Sequence, residues 1–459
     1  MTKKNKKGGL PPIAYIFMAI VTFFLITNIY PRIKPTVVNN NNNNIVTLAE
    51  NMSIGNRILI ADGDNKITPE KQQGKEYFAK GDYTEAERQF QKSIQQKPND
   101  PEGVIYRNNS QVMKDKNYLK IGVVVPIGSN ANVAQEMLRG VASSQTEINQ
   151  KGGINGKKLL IQIVDDKNDP DISKQVAKEL IKDEQILAVI GSNASNSSLA
   201  AAPIYKAANL VMITPTSLSD AISTLAWRVV PSTKIAGNLL ADYVVNRAKK
   251  TKLAICYDSS AIDAVSFKDE FVSSLLSNKA TIIPLVCDLS KANLDTANVI
   301  NEAINQKADG LFLVSHIDHV EKVIKLGREN QGKLPLFSSS TMYNIKTLEN
   351  GDLLKNLILT TVYHPDLNPS FAKKMEQEWK GRVSWRTATS YDATNVIISA
   401  MKQAENRTEI INVLHNPQFS IEGATGTVKF DNNGDRITKP VIVQVQEKGF
   451  KNYDFAIVN

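Results

Sequence analysis

The sequence predicts an α/β protein with two doubly wound parallel-sheet lobes, preceded by a short α-helical hairpin and an N-terminal transmembrane helix. From Tyr118 onward, runs rich in Val, Ile and Leu alternate with amphipathic segments, which is typical of parallel sheets covered on both faces. About eight such runs are many for one open sheet of this length, and this number favours two lobes. Near the amino end, residues 13–30 are almost wholly apolar.

The apolar stretch 13–30 reads IAYIFMAIVTFFLITNIY, and it is long enough to cross a bilayer core of roughly 30 Å. The preceding segment, 1–12, contains lysines and no acid, so the positive-inside rule predicts a basic cytoplasmic tail. A cleaved signal peptide is the alternative, but its apolar core usually spans about 7–15 residues and ends in small residues. We therefore predict an uncleaved signal anchor that holds the remaining chain on the periplasmic or exterior side of a membrane.

The chain has 459 residues, of which 42% are hydrophobic and 22% charged, as in an ordinary globular protein. Its net charge is +9, but much of this excess lies in residues 1–34, so the body is nearly balanced and nucleic-acid binding is not favoured. With only Cys256 and Cys287, the chain cannot be a disulfide-rich scaffold. Each cysteine ends an apolar strand-like run, which fits either one disulfide or two buried thiols.

Residues 31–66 contain a run of consecutive asparagines at 39–44 within a largely polar stretch. The segment has low complexity and no periodic apolar face, so we predict a flexible spacer. It would hold the folded part away from the membrane surface.

Residues 67–115 predict an α-helical segment that precedes the alternating pattern. Thr68 and Pro69 suit the start of one helix, and a capping box from Thr84 to Glu87 suits the start of a second. A third helix is expected at 101–113. The spacing of glycines and aromatic residues resembles the second half of a tetratricopeptide repeat, although the first half departs from it. A lone repeat cannot bury both faces, so it is expected either to cap the next domain or to recruit a protein partner.

Several motifs of the alternating region are specific when taken together. They are the turn INQKGGINGKKL at 148–159, the strand ends DD at 165–166, IGS at 190–192 and MITP at 212–215, the run AWRVVPS at 226–232, the helix SYDATNVIISAM at 390–401 and the hairpin GATGTVKFDNNGDR at 423–436. Through these motifs, the chain from about residue 118 to its end resembles the leucine/isoleucine/valine-type periplasmic binding proteins. Their type I periplasmic binding protein fold consists of two α/β lobes joined by three crossings.

The resemblance implies ligand-binding lobe 1 at 118–235 and 361–437, and ligand-binding lobe 2 at 236–360 and 438–459. The crossings between the lobes would lie near Pro231, near Thr361 and near 435–439. The family's function is also implied: the protein would capture a small polar ligand, an amino acid or a related compound, in the inter-lobe cleft and deliver it to an ABC importer.

The carboxyl ends of the lobe 1 strands form the first half of the predicted ligand-binding site. In open parallel sheets ligands bind beyond these ends, and here the loops after VIG and MITP are rich in hydroxyl and amide groups. By position in the resembling family, Ser195 donates a hydroxyl to the ligand's carboxylate, and Thr216 offers backbone and side-chain groups. Leu218 falls where the family has a second hydroxyl, and the adjacent Ser217 could substitute for it.

Lobe 2 supplies the second half of the site. The resemblance places an aromatic residue, an aromatic or polar residue, and an acid around the ligand's ammonium group. In this chain, those positions hold Ile262, His316 and Thr341. Lobe 1 also has Val133 where an aromatic residue is common.

The missing acid matters most, because burying an ammonium group without a counter-charge costs several kcal/mol. Three nearby aspartates could replace it: Asp258, Asp263 and Asp318. The other interpretations are that the ligand is not a simple α-amino acid, or that ligand binding has been lost.

No cofactor, metal site or catalytic centre is predicted. The run GGINGKK at 152–158 has the wrong glycine spacing for a phosphate-binding loop. His316 and His319 could share a helix face as metal ligands, but no third ligand is in view. No Ser/His/Asp set or pair of catalytic carboxylates stands out, so an enzyme is not expected.

Two other classes of function stay open from the sequence. One is a ligand-sensing receptor domain, which would need a separate signalling partner. The other is an envelope scaffold or activator without transport, because helical repeats joined to this fold resemble the activators of peptidoglycan synthases. For the transport function, we expect a small-molecule ligand and ABC permease subunits as partners, a protein at the helical repeat as a further partner, and no nucleic acid.

Overall fold

The computed structural model describes residues 48–61 and 67–458. The predicted basic tail at 1–12, the transmembrane anchor at 13–30 and the asparagine run at 39–44 lie outside the described residues. Among the helices that the structure does describe, none combines the length and the apolar character needed to cross a membrane.

The α-helices form one group near the amino end of the described chain and then alternate with strands. They are Pro69–Ala79 (α1), Tyr83–Gln96 (α2), Pro101–Asp115 (α3), Ala131–Gln150 (α4), Pro170–Leu180 (α5), Ser195–Ala207 (α6), Thr233–Asp242 (α7), Ile262–Ser277 (α8), Thr296–Asn305 (α9), Val320–Asn330 (α10), Ile345–Glu349 (α11), Pro369–Trp379 (α12), Trp385–Met401 (α13) and Arg407–Leu414 (α14). A π-helical turn at Tyr243–Arg247 extends α7.

The strands fall into two large sheets and one short hairpin. They are Met52–Ser53 (β1), Tyr118–Val125 (β2), Lys158–Asp165 (β3), Ile186–Ile190 (β4), Val211–Thr214 (β5), Trp227–Arg228 (β6), Lys252–Tyr257 (β7), Thr281–Ile283 (β8), Gly310–Val314 (β9), Leu336–Ser338 (β10), Ile358–Thr361 (β11), Ile421–Gly423 (β12), Gly426–Val428 (β13), Val441–Gly449 (β14) and Asn452–Ile457 (β15).

The first sheet has the strand order β1-β3-β2-β4-β5-β6. Strands β2 to β6 run parallel, whereas β1 pairs antiparallel with β3 at the edge. We use the name lobe 1 for this sheet and the helices that cover it.

The second sheet has the order β15-β14-β11-β10-β9-β7-β8. Strands β7 to β11 run parallel, and β14 and β15 add an antiparallel hairpin at one edge. We use the name lobe 2 for this sheet and its helices. The predicted parallel arrangement is present in the central strands of each lobe but not at one edge of each sheet. Both sheets are mixed, because a short amino-terminal segment and a carboxyl-terminal hairpin each pair antiparallel with a parallel core.

Both faces of the parallel strands are covered. In β2, Ile121 and Val123 pack in the same cluster as Met137 of α4, whereas Val124 packs with Leu180 of α5 on the other face. In β9 every residue is buried. Successive side chains point to opposite faces, so a strand covered on both sides needs apolar residues at every position. This is why these strands read as continuous apolar runs.

The spacer predicted for 31–66 was wrong for residues 48–61, which pack against the folded protein. Strand β1 pairs with β3, and Ile60 is buried. Gly55 has a φ of +135°, and a Cβ on it would lie 2.7 Å from the Phe78 ring, so only glycine fits there. The physical reason is that Met52 and Ile54 also pack on the hydrophobic core. This apolar burial offsets the entropy lost on ordering the segment.

One buried asparagine joins this segment to lobe 1. Asn109 of α3 donates from Nδ2 to the backbone oxygens of Ile54 at 2.8 Å and Ile161 at 2.7 Å. Its Oδ1 accepts from the backbone N of Ile161 at 3.1 Å and from Nε2 of Gln145 on α4 at 2.8 Å. A fully bonded amide of this kind holds its neighbours in one arrangement. Helix α3 is therefore attached both to the amino-terminal segment and to lobe 1.

The first helix begins where the sequence predicts, since the hydroxyl of Thr68 accepts from the backbone N of Lys71 at 3.0 Å. The capping box predicted at Thr84 was wrong. Helix α2 begins at Tyr83, so Thr84 is already inside it, and the cap is Asp82, which accepts from the backbone N of Glu85 at 3.1 Å. The expected third helix is present as α3, and it packs against α4 of lobe 1.

A buried ion cluster joins α1, α3 and the amino-terminal segment. The ammonium of Lys71 lies 2.8 Å from a carboxylate oxygen of Asp100 and 2.8 Å from one of Glu102. Glu102 also accepts from the backbone N of Leu59 at 2.7 Å and from the hydroxyl of Tyr106 at 2.8 Å. Burial disfavours the charge of Lys71, but the two carboxylates outweigh it and raise its pKa. The ammonium therefore keeps its charge, and the cluster holds the three segments together.

The two cysteines form a disulfide. Cys256, in β7, is bonded to Cys287, and their Cα atoms are 4.7 Å apart. Of the two arrangements that the sequence leaves open, the structure has the bridged one. The bond fixes the segment after β8 to the carboxyl end of β7.

Helices α4 and α13 make the close contact that places the start of α13 at the cleft. At Gly140 of α4, a Cβ would lie 2.2 Å from the backbone oxygen of Thr387, so a larger residue cannot be accommodated without moving the helices apart. Beside this contact, the indole nitrogen of Trp379 donates to the hydroxyl of Ser143 at 3.1 Å. The amino-terminal turn of α13 is thereby held between the two lobes.

A buried arginine braces the chain close to the crossings. Arg436 donates from Nη1 to the backbone oxygen of Val229 at 2.8 Å and from Nη2 to that of Thr425 at 2.9 Å. Its guanidinium also lies 3.8 Å from the carboxylate of Asp392. Burial raises the pKa of Asp392 to about 6, against the opposing effect of Arg436. The late hairpin β12–β13, helix α13 and the first crossing are thus joined at one point.

The segments predicted as crossings come together in space. Pro231, which precedes α7, and Thr361, which ends β11, line one small cavity with Pro440. Pro440 directly follows the third predicted crossing at 435–439. A bend at this point would move lobe 2 relative to lobe 1.

We expect Glu102→Ala to lower the free energy of unfolding by about 3–5 kcal/mol, because it leaves a buried ammonium and two backbone N–H groups with fewer partners. Urea unfolding measures this loss, and hydrogen exchange at Leu59 and Ile60 should accelerate. The matched control is Glu321→Ala, which removes an exposed ion pair with Lys346 and should cost less than about 1 kcal/mol. Equal costs for the two variants would contradict the structural role of the cluster.

Candidate functional site

The carboxyl ends of the parallel strands of the two lobes face a common cleft. In lobe 1, the loops after β4 and β5 contribute Asn193 and Thr216, and in lobe 2 the loops after β9 and β10 contribute His316 and Thr341. Backbone and side-chain polar groups can lie at strand ends without disturbing the apolar layers on either face. The cleft is therefore the place where this fold can recognise a polar molecule.

One small cavity, partly open to solvent, lies in the cleft and has walls from both lobes. The lobe 1 wall also contains Leu218, and the lobe 2 wall contains Asp263. The cavity residues are Asn193, Ala194, Thr216, Leu218, Asp263, His316, Ile317, Thr341, Trp385 and Arg386. Its free volume is about 20 Å³, which is room for roughly one water molecule.

Thr216, His316 and Thr341, which the resemblance places in the site, all line this cavity. The hydroxyl of Thr216 donates to the backbone oxygen of Asn193 at 2.8 Å, which ties the loop after β5 to the loop after β4. Thr341 lies in a 3-10 turn directly after β10. These three residues bring polar groups from both lobes to one point.

Ser195, Ser217 and Ile262, the other predicted site residues, lie outside this cavity. Both residues are buried, and the hydroxyl of Ser217 donates to that of Ser195 at 3.0 Å, so these two side chains are bonded to each other. Ile262 is 39% exposed at the start of α8. It contacts lobe 1 through its backbone N, which donates to the side chain of Asn196 at 2.8 Å.

Asp263 is the one of the three candidate aspartates that lines the cavity. The residue as a whole is partly exposed, but its Oδ1 is enclosed and has no hydrogen-bonding partner. Burial raises the pKa of its carboxyl, and the nearby His316 opposes this rise. A carboxylate in this position favours a cationic group in the cavity.

The other two aspartates already have partners. Asp258 is buried and accepts from the hydroxyl of Ser260 at 2.6 Å, from the backbone N of His316 at 3.3 Å and from the ring of His319. Asp318 lies 3.4 Å from the ring of His316. Burial disfavours the charge of His316, but Asp318 and the other nearby carboxylates outweigh it and raise the pKa of the imidazole.

Sequence analysis missed two cavity residues at the start of α13, Trp385 and Arg386. The indole nitrogen of Trp385 donates to the backbone oxygen of Ser340 in lobe 2 at 3.1 Å. Arg386 lies over the Trp385 ring, with its guanidinium carbon 4.6 Å from the ring centroid. The available signal was the pair WR, which lies three residues before the recognised motif SYDATNVIISAM. Trp385 also supplies the aromatic surface that Val133, buried within lobe 1, does not provide.

Hydrogen bonds between the lobes hold the cleft closed. The side chain of Asn196 in α6 bonds to the backbone N of Ile262 at 2.8 Å and to the backbone oxygen of Ser260 at 2.8 Å. The side chain of Asn130, before α4, donates to Asp318 at 3.4 Å. Because the closed cavity is so small, the lobes must separate to admit a molecule of amino-acid size.

His316 and His319 lie close together in the cleft, so the side chains around them decide whether they could bind a metal ion. Within residues 48–61 and 67–458, no group of three or more His, Cys, Asp or Glu side chains is arranged to hold a metal ion. The two rings lie 6.1 Å apart between centroids, and each is paired with an aspartate. His316 lines the cavity as a polar wall residue, whereas His319 lies outside it.

Comparison with known proteins identifies the family. A family model described as periplasmic binding protein matches residues 119–451. Among curated relatives, an amino acid binding protein of Pseudomonas aeruginosa is 32% identical over 143 residues, which cover 30% of this chain and 38% of that protein. A Leu/Ile/Val-binding protein of Citrobacter freundii is 23% identical over 333 residues, which cover 69% of this chain and 88% of that protein.

Solved structures show the same fold. The leucine binding protein LivK of Thermotoga maritima superposes with a TM-score of 0.67 at 20% identity, and the match covers 74% of this chain and 99% of that chain. The fold shared with this protein is the two-lobed type I α/β arrangement.

We expect Asp263→Asn to stabilise the protein without added ligand. The pKa of Asp263 in the folded state lies above the unfolded value of about 3.9, so the unfolded chain releases this proton first as the pH rises. Wild-type stability therefore falls as the pH rises from about 4 through the raised pKa. Thermal unfolding should show the variant about 1 kcal/mol more stable than wild type at pH 8, with no difference at about pH 4.

The control is Asp318→Asn, on the same wall. There, interaction with His316 outweighs burial, and the pKa of Asp318 is lowered. This variant should be less stable than wild type at pH 8, and the loss should shrink toward acid pH. If both substitutions changed the stability at pH 8 in the same direction, this result would contradict the assignment of Asp263 as the carboxylate with an unpartnered oxygen.

Proposed function

Because this chain belongs to the periplasmic binding protein family, we propose that it captures a small polar ligand, an amino acid or a related compound, between its lobes and delivers it to an ABC importer. The observation that carries the proposal is the cavity between the strand ends, where Thr216 of lobe 1 faces Asp263, His316 and Thr341 of lobe 2. Membership of the family supports a solute-binding role, and both the identity of the solute and its delivery to an ABC importer are the proposed parts.

The residue chemistry supports a ligand with an amino group. Thr341 occupies the position that corresponds to the acid of the family's ammonium site. Asp263 nevertheless brings a carboxylate to the same cavity. An ammonium group there would be paired with a charge, which removes the cost of burying it alone. The hydroxyl and backbone groups around Thr216 can bind polar ligand atoms on the opposite wall.

Capture would follow from separation and closure of the lobes. The open form exposes both walls to solvent, and the ligand bridges them as the lobes close about the three crossings. Trp385, Asn196 and Asn130 make the hydrogen bonds that hold the closed form. A closed form presents one rigid surface for docking on permease subunits.

We also propose that the apolar stretch 13–30 anchors the protein in a membrane and that the binding lobes face the periplasm or the cell exterior. The proposal rests on the length of this stretch and on the lysines that precede it. An anchor would keep the binding protein next to its importer. No enzymatic activity is proposed.

The first test is thermal unfolding of the protein against amino acids, short amides, urea-like solutes and small peptides. A true ligand at about a hundred times its dissociation constant should add roughly 2.7 kcal/mol of stability and raise the Tm by several degrees. The same ligand should lower the radius of gyration measured by X-ray scattering. Asp263→Asn serves as the matched variant, and it should lose the response. No response across the panel would contradict solute binding by this cleft.

The second test addresses delivery. Affinity capture of the full chain from detergent-solubilised membranes should recover permease subunits of an ABC importer. Recovery of a signalling chain instead would favour the receptor function, and recovery of cell-wall synthases would favour the scaffold function. Either result without permease subunits would overturn the transport proposal.

A further inference from the structure

The cavity contains a buried cation that the chain itself does not neutralise well. Arg386 is 3% exposed and lines the cavity from the amino-terminal turn of α13. Of its guanidinium nitrogens, only Nη1 has a hydrogen-bonding partner, Oε2 of Glu136 at 3.4 Å. Ion pairs with good geometry have distances of about 2.7–2.9 Å, so this one is weak. Nε is enclosed and has no partner.

The position of Arg386 in its helix makes the need for an anion stronger. Arg386 is the second residue of α13, a helix of 17 residues. The amino end of a helix carries partial positive charge, so a cation there is disfavoured and an anion is favoured. Both the unpartnered guanidinium and the helix end therefore favour the same kind of ligand group.

The opposite wall has the complementary charge. Asp263 of lobe 2 lines the same cavity, and its Oδ1 is also enclosed without a partner. A buried donor or acceptor without a partner costs free energy until a ligand or water satisfies it. The cleft thus has a weakly paired guanidinium on lobe 1 and, on lobe 2, a carboxylate oxygen without a hydrogen-bonding partner.

The serine hydroxyls do not meet this need. Ser195 and Ser217 bond to each other and lie outside the cavity. Arg386 is inside it and has two nitrogens, Nε and Nη2, without partners among the described residues. These nitrogens form one edge of the planar guanidinium, and that edge matches the two oxygens of a carboxylate.

We infer that Arg386 binds the anionic group of the ligand and that the ligand is a small zwitterion with a free carboxylate. This inference rests on the proposed function. The carboxylate pairs with Nε and Nη2 of Arg386 in lobe 1, and the cationic group pairs with Asp263 in lobe 2. Such a ligand neutralises both walls at once, so it favours the closed form more than a molecule with only one of the two charges.

A purely structural role for Arg386 gives different expectations. In that case the residue would serve to join α13 to α4 through Glu136. Glu136→Gln would then lower the free energy of unfolding as Arg386→Gln does. If Arg386 binds the ligand, Glu136→Gln removes a competing carboxylate and leaves the guanidinium free. Binding of a carboxylate ligand is then retained or tightened.

The experiment uses the full chain and a panel of the common L-amino acids, their carboxamide counterparts, short neutral amides and urea. Thermal unfolding selects the responding compounds, and calorimetry gives their Kd. We expect at least one amino acid to bind, and its carboxamide to bind about 30-fold more weakly or worse, because a buried charge pair is lost. This comparison needs no variant, so it stands even if a substitution impairs folding.

Single-residue variants then test whether Arg386 is the residue that binds the carboxylate. Arg386→Gln should weaken binding of the same amino acid about 30-fold or more. The matched control is Arg139→Gln on α4, whose side chain bonds to Asn99 outside the cavity, and it should leave the Kd unchanged. Glu136→Gln should retain or tighten binding.

Three results would overturn the inference while the proposed function stands. They are equal binding of an amino acid and its carboxamide, unchanged binding in a folded Arg386→Gln variant, and a response confined to uncharged amides or urea. A response to no member of the panel would instead contradict the proposed function, and the inference would fall with it.

Discussion

Both sheets are buried on two faces, and this constraint leaves only the strand ends for polar chemistry. Strands such as β2 and β9 have apolar side chains at successive positions because helices cover them on each side. Polar and charged residues therefore collect in the loops at the carboxyl ends, and the crossings turn these ends of the two lobes toward each other. In this structure Asp263 of lobe 2 and Arg386 of lobe 1 line the same cavity. The chemistry of the cleft follows from this packing.

The contacts that close the lobes differ in kind from those left for a ligand. Asn196, Asn130 and Trp385 bridge the lobes with neutral donor or acceptor groups. The charged atoms of Asp263 and Arg386 that line the cavity have no partner or only a distant one. The closed form is thus held by hydrogen bonds from amide and indole groups but keeps poorly paired charged groups in its cleft, and a molecule that pairs with them stabilises closure selectively.

The amino-terminal helices are part of the same folded body, although their sequence resembles a repeat that normally stacks on its own kind. Asn109 bonds to the amino-terminal segment, β3 and α4, and the cluster of Lys71, Asp100 and Glu102 joins α1 to α3. Local pattern could predict these helices and the cap at Thr68, because helix periodicity and capping depend on neighbouring residues. It could not predict that residues 48–61 pack on lobe 1, since their partners at Phe78, Glu102 and Val164 lie far along the chain.

The sequence by itself determined the α/β class and the order of strands and helices in each lobe, and through its motifs the resemblance to the family implied that Thr216, His316 and Thr341 lie at the cleft. These features depend on the spacing of apolar residues and on motifs at strand ends, which are local properties. Only the tertiary structure decided that Cys256 and Cys287 are bridged, that Asp263 rather than Asp258 lines the cavity, and that Arg386 belongs to the site. The physical reason is that burial and partnership depend on which distant segments meet. Asp258 is satisfied by His319, whereas Asp263 and Arg386, more than a hundred residues apart in the chain, share a cavity that exists only when the lobes close.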